Sequence, residues 1–482
     1  MKKFGLVAAA IAVFGAPNVA NAADMPAKAL AYKAPPVAAT PWTGFYVNGG
    51  IGYGMWAADT TVLDVTGTFC TACATQVQGG KGWLGRIGAG YDYQFTQRII
   101  AGVFGDFDIA SLEGTIQNGQ PFRAGQIKET SAWAAGVRAG WLFNSKTLSY
   151  INVGYTGARF SGATMLTSTS GSPAGLATPA TTFNGWFLGG GVETTVAPNL
   201  FWRTEYRYSY YNSKNLPEVF SSGILSGQVL DSLTFKPTVQ TVTTQLVYKF
   251  NAGLPTPAYA PIPLVPINWT GAYINAGFGY GLWAAGENSV NPATGVCAIC
   301  VTQTQGGKGW LGTIGAGYDW QFAPKWVVGV FGDFNWSSLK GTLQDDASSQ
   351  PQAIQGDIKQ TLAWAVGPRF GWLVTPQTLT YVNGGFTSAQ FSGSTMFNVL
   401  SGAPTGSSTQ SFTTNGWFVG GGVENSFDLL GMLPKGFFLR TEYRYASYAN
   451  KTLPDTGAIT ESSINFKPVV QTVTTSLIFK LN

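Results

Sequence analysis

Apolar and polar residues alternate along most of the chain, so that every second position carries a similar type of side chain. A period of two is typical of a β-strand that has one apolar and one polar face. In the first half of the chain the pattern predicts strands near residues 44–57, 80–95, 99–113, 127–143, 147–161, 182–196, 200–211 and 233–250. The chain is therefore predicted to be an all-β protein.

The connections between these strands alternate in length. Short turns are predicted near 96–98, 144–146 and 197–199, and long polar loops near 58–79, 114–126, 162–181 and 212–232. A transmembrane antiparallel β-barrel has this arrangement, with short turns on one side of the membrane and long loops on the other. A secreted β-sandwich also contains many short strands, but it gives no reason for the alternation.

The chain contains the same unit twice. The segment QGGKGWLG occurs at 78–85 and 305–312, and FWRTEYRYSYY at 201–211 returns as FLRTEYRYASY at 438–448. Two tandem eight-stranded barrels are predicted, and the alternative is one sixteen-stranded barrel with an aqueous channel. The long Pro-rich joining segment favours two barrels, because periplasmic turns are short. The predicted segments are a signal peptide at 1–22, a Pro/Ala-rich periplasmic leader at 23–41, a first barrel at 42–250, a Pro-rich linker at 251–268 and a second barrel at 269–482.

Tryptophan spacing indicates which strand face meets lipid. Two tryptophans stand eight positions apart on one face of the fourth strand in each unit. At about 3.3 Å per residue and a tilt of about 40°, this spacing corresponds to roughly 20 Å of height, close to the apolar band of an outer-membrane barrel. The predicted aromatic girdle consists of Trp133, Trp141, Trp364 and Trp372. The same phase predicts that Trp202, Tyr206 and Tyr208 face lipid.

The charged side chains of the strands are predicted to point inward, opposite the aromatic face. In the first unit these are Arg86, Asp92, Asp106, Asp108, Arg138, Glu193, Arg203, Glu205 and Arg207, four basic and five acidic groups. In the second unit they are Asp319, Asp333, Arg369, Glu424, Arg440, Glu442 and Arg444, three basic and four acidic groups. Asp106, Arg138 and Glu193 are predicted as partners for the charges of the 201–211 strand.

Arg86 and Asp108 have no charged counterparts in the second unit, where Thr313 and Asn335 replace them. Both are eleven positions from the centre of a hairpin that turns near residue 97. They are therefore predicted to form a direct cross-strand ion pair. Basic and acidic residues are nearly equal in number inside the barrel. This balance favours a structural ion network over a selective channel, whose lining would carry an excess of charges of one sign.

The composition limits the classes of function. Charged residues are only 11 % and aromatic residues 14 % of the 482 residues, whereas about a quarter of an average soluble chain is charged. The net charge of +5 includes Lys2 and Lys3, and no nucleic-acid partner is predicted. The chain has no His, which removes Ser–His pairs and His metal sites. No enzyme, cofactor or metal is predicted.

The N-terminus indicates export. A basic start, a short apolar run and the sequence Ala20-Asn21-Ala22 predict a signal peptide that is cut after Ala22. Exported proteins enter oxidising compartments, in which disulfides persist. The main interpretation of the CxxC pair in each unit is therefore a local disulfide between its two cysteines. A redox-active pair and a metal site shared by four thiols are the alternatives. The disulfide candidates are Cys70, Cys73, Cys297 and Cys300.

Pro368 stands in the fourth strand of the second unit, where the first unit has Val137. Proline has no backbone N–H to donate to a neighbouring strand. A bulge or a missing backbone bond is therefore predicted at this position.

Several motifs resemble those of a known family. They are the entry strand PWTGFYVNGGIGYG, followed by GAGYDYQF, GVFGDFD and RTEYRY. Their order and spacing are similar to those of the outer-membrane immunogenic or porin-like β-barrel proteins of α-proteobacteria, which are generally single eight-stranded barrels. The resemblance covers each unit almost end to end.

The resemblance implies a bacterial outer-membrane location, antigenic loops outside the cell and a structural or porin-like role. It implies outer-membrane lipid, lipopolysaccharide and the outer-membrane assembly machinery as partners. The alternatives are a sixteen-stranded general porin and a loop-mediated adhesin or ligand-binding surface antigen. The loops are rich in Ser, Thr, Gly and Ala and identify no host or small-molecule ligand.

Overall fold

The structure is a computed structural model. It describes residues 42–64, 75–118, 123–168, 170–250, 262, 266–290, 302–345, 354–399, 401–426, 436–457 and 462–481. The predicted signal peptide and leader, most of the linker and the four cysteines lie outside these ranges. Within them, no helix has the length and apolar character needed to cross a bilayer.

The described residues form antiparallel β-strands in both halves of the chain. The strands of the first half are β1 (Gly44–Leu63), β2 (Gln76–Gln94), β3 (Ile99–Asn118), β4 (Arg123–Asn144), β5 (Thr147–Phe160), β6 (Ala163–Thr167), β7 (Pro173–Thr178), β8 (Thr181–Ala197), β9 (Leu200–Tyr211), β10 (Lys214–Phe220) and β11 (Val229–Phe250). The strands of the second half are β12 (Gly271–Val290), β13 (Gln303–Ala323), β14 (Trp326–Asp345), β15 (Ile354–Thr375), β16 (Thr378–Phe391), β17 (Ser394–Asn398), β18 (Pro404–Thr409), β19 (Phe412–Ser426), β20 (Phe437–Tyr448), β21 (Lys451–Pro454), β22 (Thr456–Gly457) and β23 (Ser463–Lys480).

Each half closes on itself. The first strand β1 pairs with β2 on one side and with the last strand β11 on the other, beginning at Phe45↔Phe250. In the second half, β12 pairs with β13 and with β23, beginning at Tyr273↔Lys480. Because the eight long strands of each half pair in a closed ring, the structure contains two barrels and excludes the sixteen-stranded alternative.

The short strands of the first half prolong the barrel wall at the long-loop end. β5 pairs with β8 up to Phe160↔Thr181, and β6 pairs with β7 from Ala163↔Thr178, so the same hairpin continues after a short break. β10 continues β9 and pairs with β7 and β11. The first barrel is therefore eight-stranded around its whole circumference, as predicted.

Two predicted loops are therefore largely strand. The segments 162–181 and 212–232 contain β6, β7, β10 and the start of β11. Their Ser, Thr and Gly residues show no apolar alternation, because a wall that extends beyond the lipid needs no apolar outer face. Neighbouring strands nevertheless satisfy their backbone groups, which is what makes them strands.

The two barrels pack against each other through their outer faces. The outward side chains of β1 are exposed up to Ile51, whereas Met55 and Ala57 are fully buried against Leu282 and Ala284 of β12. The contacts occur in equivalent pairs: the Val77 amide donates to Thr342 Oγ1 at 2.8 Å, and the Thr304 amide donates to Thr115 Oγ1 at 2.7 Å. An approximate twofold relation therefore connects the barrels.

This contact corrects the prediction that all outward aromatic residues of β9 face lipid. Trp202 is 51 % exposed on the outer surface. Tyr206 and Tyr208 are half-buried, and the ring of Tyr208 lies 5.4 Å from that of Tyr280 in the second barrel. Local alternation predicted the correct face of the strand, but it does not distinguish lipid from a second apolar barrel.

Pro368 interrupts strand pairing without shifting it. In the first barrel, Val137 of β4 pairs with Val153 of β5. In the second barrel, the ladder between β15 and β16 passes from Val366↔Phe386 directly to Arg369↔Asn383 with the same register. The missing bond predicted from the sequence is therefore confirmed, and no bulge forms at this position.

Restoring the missing donor is expected to stabilise the second barrel. Pro368→Val is expected to add about 1 kcal/mol, the usual net worth of one backbone hydrogen bond. This gain in the free energy of unfolding would be measured by urea unfolding of the protein in lipid, with proteolysis reporting the unfolded fraction of each barrel. Val137→Pro is the matched control and should destabilise the first barrel; a stabilised first barrel would contradict this explanation.

Candidate functional site: the filled lumen

The inner faces of both barrels carry the charged residues predicted from strand phase. Alternation places their side chains inside, where an eight-stranded barrel has room only for side chains. All of those in the first barrel are buried except Asp106, which is half-buried. The charges form two clusters along the barrel axis, one toward the short turns and one toward the long loops.

The cluster near the short turns is built around Arg138. Its Nε lies 2.8 Å from Asp92 Oδ1, and its Nη1 lies 3.0 Å from Glu193 Oε2. Arg203 donates to Glu193 at 2.8 Å. Lys249 Nζ lies 2.8 Å from Asp92 and 3.1 Å from Glu193. Every charge in this cluster therefore has at least one opposite charge in contact.

Aromatic rings hold these cations in place. The guanidinium of Arg138 lies 4.7 Å from the ring centre of Tyr46, and that of Arg203 lies 4.8 Å from the same ring. Lys249 Nζ lies 4.7 Å from the ring of Trp42. Contacts of this kind stabilise a cation that has left water.

The cluster nearer the long loops contains the predicted cross-strand ion pair. Arg86 donates from Nε and Nη2 to the two carboxylate oxygens of Asp108, both at 2.7 Å, and from Nη1 to Glu205 at 2.8 Å. Arg207 donates to both oxygens of Asp106, at 2.8 and 2.6 Å, and to Glu205 at 2.8 Å. Bidentate pairs of this type are among the strongest that side chains form.

Neutral polar groups connect the clusters. The Tyr150 hydroxyl and the Asn152 amide donate to Glu205 at 2.8 and 2.9 Å. The same Tyr150 ring lies 5.0 Å from the guanidinium of Arg138 in the other cluster. The inner charges of the first barrel therefore form one continuous network.

The second barrel repeats the cluster near the short turns. Arg369 donates to Asp319 at 2.7 Å and to Glu424 at 3.1 Å. Arg440 donates to Glu424 at 2.9 Å, and Lys480 donates to Asp319 at 2.8 Å. The contacts match those of the first barrel pair by pair.

The other cluster of the second barrel is smaller by one ion pair. Arg444 contacts Asp333 at 2.9 and 2.6 Å and Glu442 at 2.7 Å. Asn335, which replaces Asp108, donates to Asp333 at 3.0 Å. Thr313 occupies the position of Arg86 and is buried. The exchange therefore removes one positive and one negative charge together.

Sequence reasoning missed one inner cation in each barrel. Lys249 and Lys480 lie at equivalent strand ends and are at most 2 % exposed. Adding them to the predicted sets gives five basic and five acidic groups in the first network and four and four in the second. Each predicted set contained one more acidic than basic residue, and this excess was the signal that a cation had been overlooked.

Glu129 is a further buried carboxyl of the first barrel that the sequence reasoning did not include. It lies on β4, and among the described residues no ion-pair partner contacts it. Gln360 holds the equivalent position in the second barrel and is also buried.

An aromatic cluster fills the lumen beyond the charges, toward the long loops. In the first barrel, Trp56 packs against Phe160 and Phe235 with ring centres 5.9 and 5.6 Å apart. Trp283 repeats this packing in the second barrel. At the short-turn end of the first barrel, Trp42 and Ile262 of the linker segment belong to a second apolar layer of that lumen.

The repeated QGG motif serves both the lumen and the barrel contact. A Cβ on Gly80 would lie 2.3 Å from the indole of Trp56, so only glycine leaves room for that ring. A Cβ on Gly79 would lie 3.0 Å from the backbone of Gln305 in the other barrel. The first glycine therefore permits close approach of the barrels, and the second permits filling of the lumen.

The predicted girdle tryptophans lie on the outer surface. Trp133 and Trp364 are each 40 % exposed, and Trp141 and Trp372 are half-buried on the same strand rows. The four cysteines of the predicted disulfides lie outside the described residues. Within the described part of the chain, no group of three His, Cys, Asp or Glu side chains is arranged to hold a metal ion.

A buried carboxyl pair lies at the long-loop end of the second barrel, beyond the membrane-spanning wall. Ser289 donates to Asp345 at 2.6 Å, and Ser462 donates to both Asp345 and Asp455. Burial and the neighbouring Asp345 raise the pKa of Asp455 to about 8. Asp455 is therefore largely protonated at neutral pH.

The first barrel has an arginine at this place. Arg123 Nη2 lies 2.5 Å from Glu218 and 2.6 Å from Asp231. Ile354 is at the equivalent position of the second barrel. Among the described residues of the second barrel no cation is at this place, and the raised pKa of Asp455 avoids the repulsion of two buried carboxylates.

Raising the pH is expected to loosen this end of the second barrel. The pKa of Asp455 in the folded protein lies above the ordinary value of 3.8. The stabilisation that the protonated carboxyl gives to the folded state is therefore complete below pH 3.8 and is lost as the pH rises from 3.8 to about 8. Hydrogen exchange of β21 and β22 should therefore accelerate between about pH 4 and about pH 8 and level off at higher pH, beyond the intrinsic pH effect. Asp455→Asn should remove the extra acceleration; an unchanged pH profile in that variant would contradict the assignment.

Comparison with known proteins agrees with the two-barrel structure. A family model described as outer membrane protein beta-barrel domain matches residues 6–250 and again residues 252–467. The 31 kDa outer-membrane immunogenic proteins of Brucella melitensis biotype 1 and Brucella suis biovar 1 are each 27 % identical over 215 residues, which cover 43 % of this chain and 83 % of the relative.

Solved structures of outer-membrane barrels are also matched, at low similarity. A Pseudomonas aeruginosa FadL homologue is 9 % identical with a TM-score of 0.28, and the match covers 91 % of each chain. Ail, the attachment invasion locus protein of Yersinia pestis, is 12 % identical with a TM-score of 0.24, over 43 % of this chain and 99 % of Ail. The family match extends over nearly the whole chain, so this protein belongs to the outer membrane protein beta-barrel family, carries its domain twice and resides in the bacterial outer membrane.

Proposed function

We propose that the protein is a closed structural element of the outer membrane and that its two lumens do not conduct solutes. The observation that supports this most strongly is the filling of each lumen by a neutral network of buried ion pairs. An open path would have to separate these pairs, and leaving one partner of a buried pair alone costs about 3–5 kcal/mol. The aromatic cluster around Trp56 adds an apolar layer above the charges.

The same arrangement argues against catalysis. The carboxylates of the two ion networks are already bound by arginine or lysine, and the chain contains no His to act as a general base. The outer faces meet lipid and the other barrel. The proposed partners are outer-membrane lipid, lipopolysaccharide and the assembly machinery, with the short turns facing the periplasm and the long loops outside the cell.

A deletion strain would test this role. Cells without the protein are expected to become more sensitive to detergent and to large apolar antibiotics, while uptake of small hydrophilic solutes stays unchanged. Complementation with the full chain should restore the barrier. Slower uptake of small solutes in the deletion strain, restored by complementation, would instead identify a porin.

A further inference from the structure

Two equivalent positions along the contact between the barrels, at Asp59 and at Gly286, differ in charge; this part of the contact is here called the groove. At the first position, Lys308 of the second barrel lies 2.9 Å from Asp59 of the first. Asp59 is paired across the strands with Lys236. One carboxylate therefore lies between two lysines, one from each barrel.

At the second position the carboxylate is missing. The equivalents of the three residues are Lys81 for Lys308, Gly286 for Asp59 and Lys467 for Lys236, and Gly286 is paired across the strands with Lys467. By the approximate twofold relation, Lys81 and Lys467 correspond to the two lysines on either side of Asp59 at the first position. Neither forms an ion pair with another described residue.

The carboxylate opposite Lys81 on the neighbouring strand has a different partner. Glu113 is opposite Lys81 on β3, but its Oε1 lies 3.4 Å from Lys128. The groove at this position thus keeps two uncompensated ammonium groups, one half-buried and one exposed.

The position of the groove along the membrane normal indicates which anion is available there. Lys81 is two residues beyond Trp83, on the long-loop side. Trp83 is 55 % exposed and its ring lies 5.2 Å from that of Tyr53. Exposed aromatic residues of this kind mark the level of the lipid headgroups, so the two ammonium groups lie where the outer leaflet presents its charged groups.

We propose that Lys81 and Lys467 bind a phosphate group of a phosphorylated outer-leaflet glycolipid in the groove between the barrels. A lysine ammonium is a regular phosphate ligand, and two of them from different barrels approach one phosphate from two sides. The site rests on the outer-membrane location and does not depend on whether the lumens conduct.

Native mass spectrometry of the full-length protein tests the site, with bisphosphorylated lipid A as the probe. Wild-type protein is expected to retain one lipid A molecule specifically. Lys81→Gln and Lys467→Gln should each weaken retention about fivefold, the effect expected for one lysine near an anionic lipid. Gly286→Asp should abolish it by supplying the missing carboxylate, and a Cβ at Gly286 meets no atom closer than 3.6 Å.

The pseudo-equivalent position supplies the matched control. Asp59→Gly should create a second site, so that two lipids are retained, whereas Lys308→Gln should leave retention by the wild-type site unchanged. Dephosphorylated lipid A should not be retained. Equal retention by wild type and Gly286→Asp, or equal retention of dephosphorylated lipid, would overturn the proposal. Displacement of the lipid by millimolar inorganic phosphate would also overturn it, because the ligand would then be phosphate from solution.

Discussion

Replacing Arg86 by Thr alone is expected to destabilise the first barrel by about 3–5 kcal/mol, the usual cost of leaving a buried charge unpaired. Arg86 makes two bonds to Asp108 and one to Glu205. The double change Arg86→Thr with Asp108→Asn should recover most of this loss. The second barrel already carries Thr313 and Asn335 at these positions.

Proteolysis of the protein in lipid at increasing urea concentrations, with mass spectrometry of the peptides, would measure both variants. The unchanged second barrel is an internal control in every sample. Glu205 remains paired with Arg207 in the double variant, as Glu442 is paired with Arg444 in the second barrel. Equal destabilisation by the single and double changes would show that the two residues are not energetically coupled.

Replacing Lys249 by Met is expected to cost a similar amount, about 3–5 kcal/mol. The Lys249 ammonium is fully buried and contacts Asp92 and Glu193, so its loss leaves the network with a net negative charge. The same urea experiment measures the loss. Lys480→Met should affect the second barrel in the same way, because Lys480 contacts Asp319 at 2.8 Å.

Lys128 provides a control for Lys249. Its side chain is 38 % exposed and its ion pair with Glu113 is on the surface, so Lys128→Met should change stability by no more than about 0.5 kcal/mol. If Lys249→Met had an equally small effect, the charge balance of the lumen would not be a determinant of stability.

Strand phase allowed most of the inner network to be predicted from the sequence. Alternation assigns a side chain to one face of a strand, and hairpin symmetry placed Arg86 opposite Asp108, which the structure shows as an ion pair. Lys249 was missed although it continues the inward phase of its strand, between the outward side chains of Tyr248 and Phe250. Its recurrence as Lys480 was the available signal.

Two features were not predicted. The aromatic interior around Trp56 was missed although Trp56 shares the inward phase of Gly52 and Gly54, because only charged residues were assigned to the inner face. The contact between the barrels was missed because Met55 and Leu282 are suited equally to lipid and to a second apolar surface. Only the three-dimensional arrangement shows which of these environments each side chain meets.

Planar-bilayer recording of the purified full-length protein shows whether its two lumens are closed. Because neutral ion networks and aromatic clusters fill both lumens, no stable openings are expected under conditions in which a general porin inserted into the same bilayers conducts. The charge-matched variant Arg86→Thr/Asp108→Asn should also remain closed. Large, stable openings of the wild-type protein would contradict the closed-lumen account.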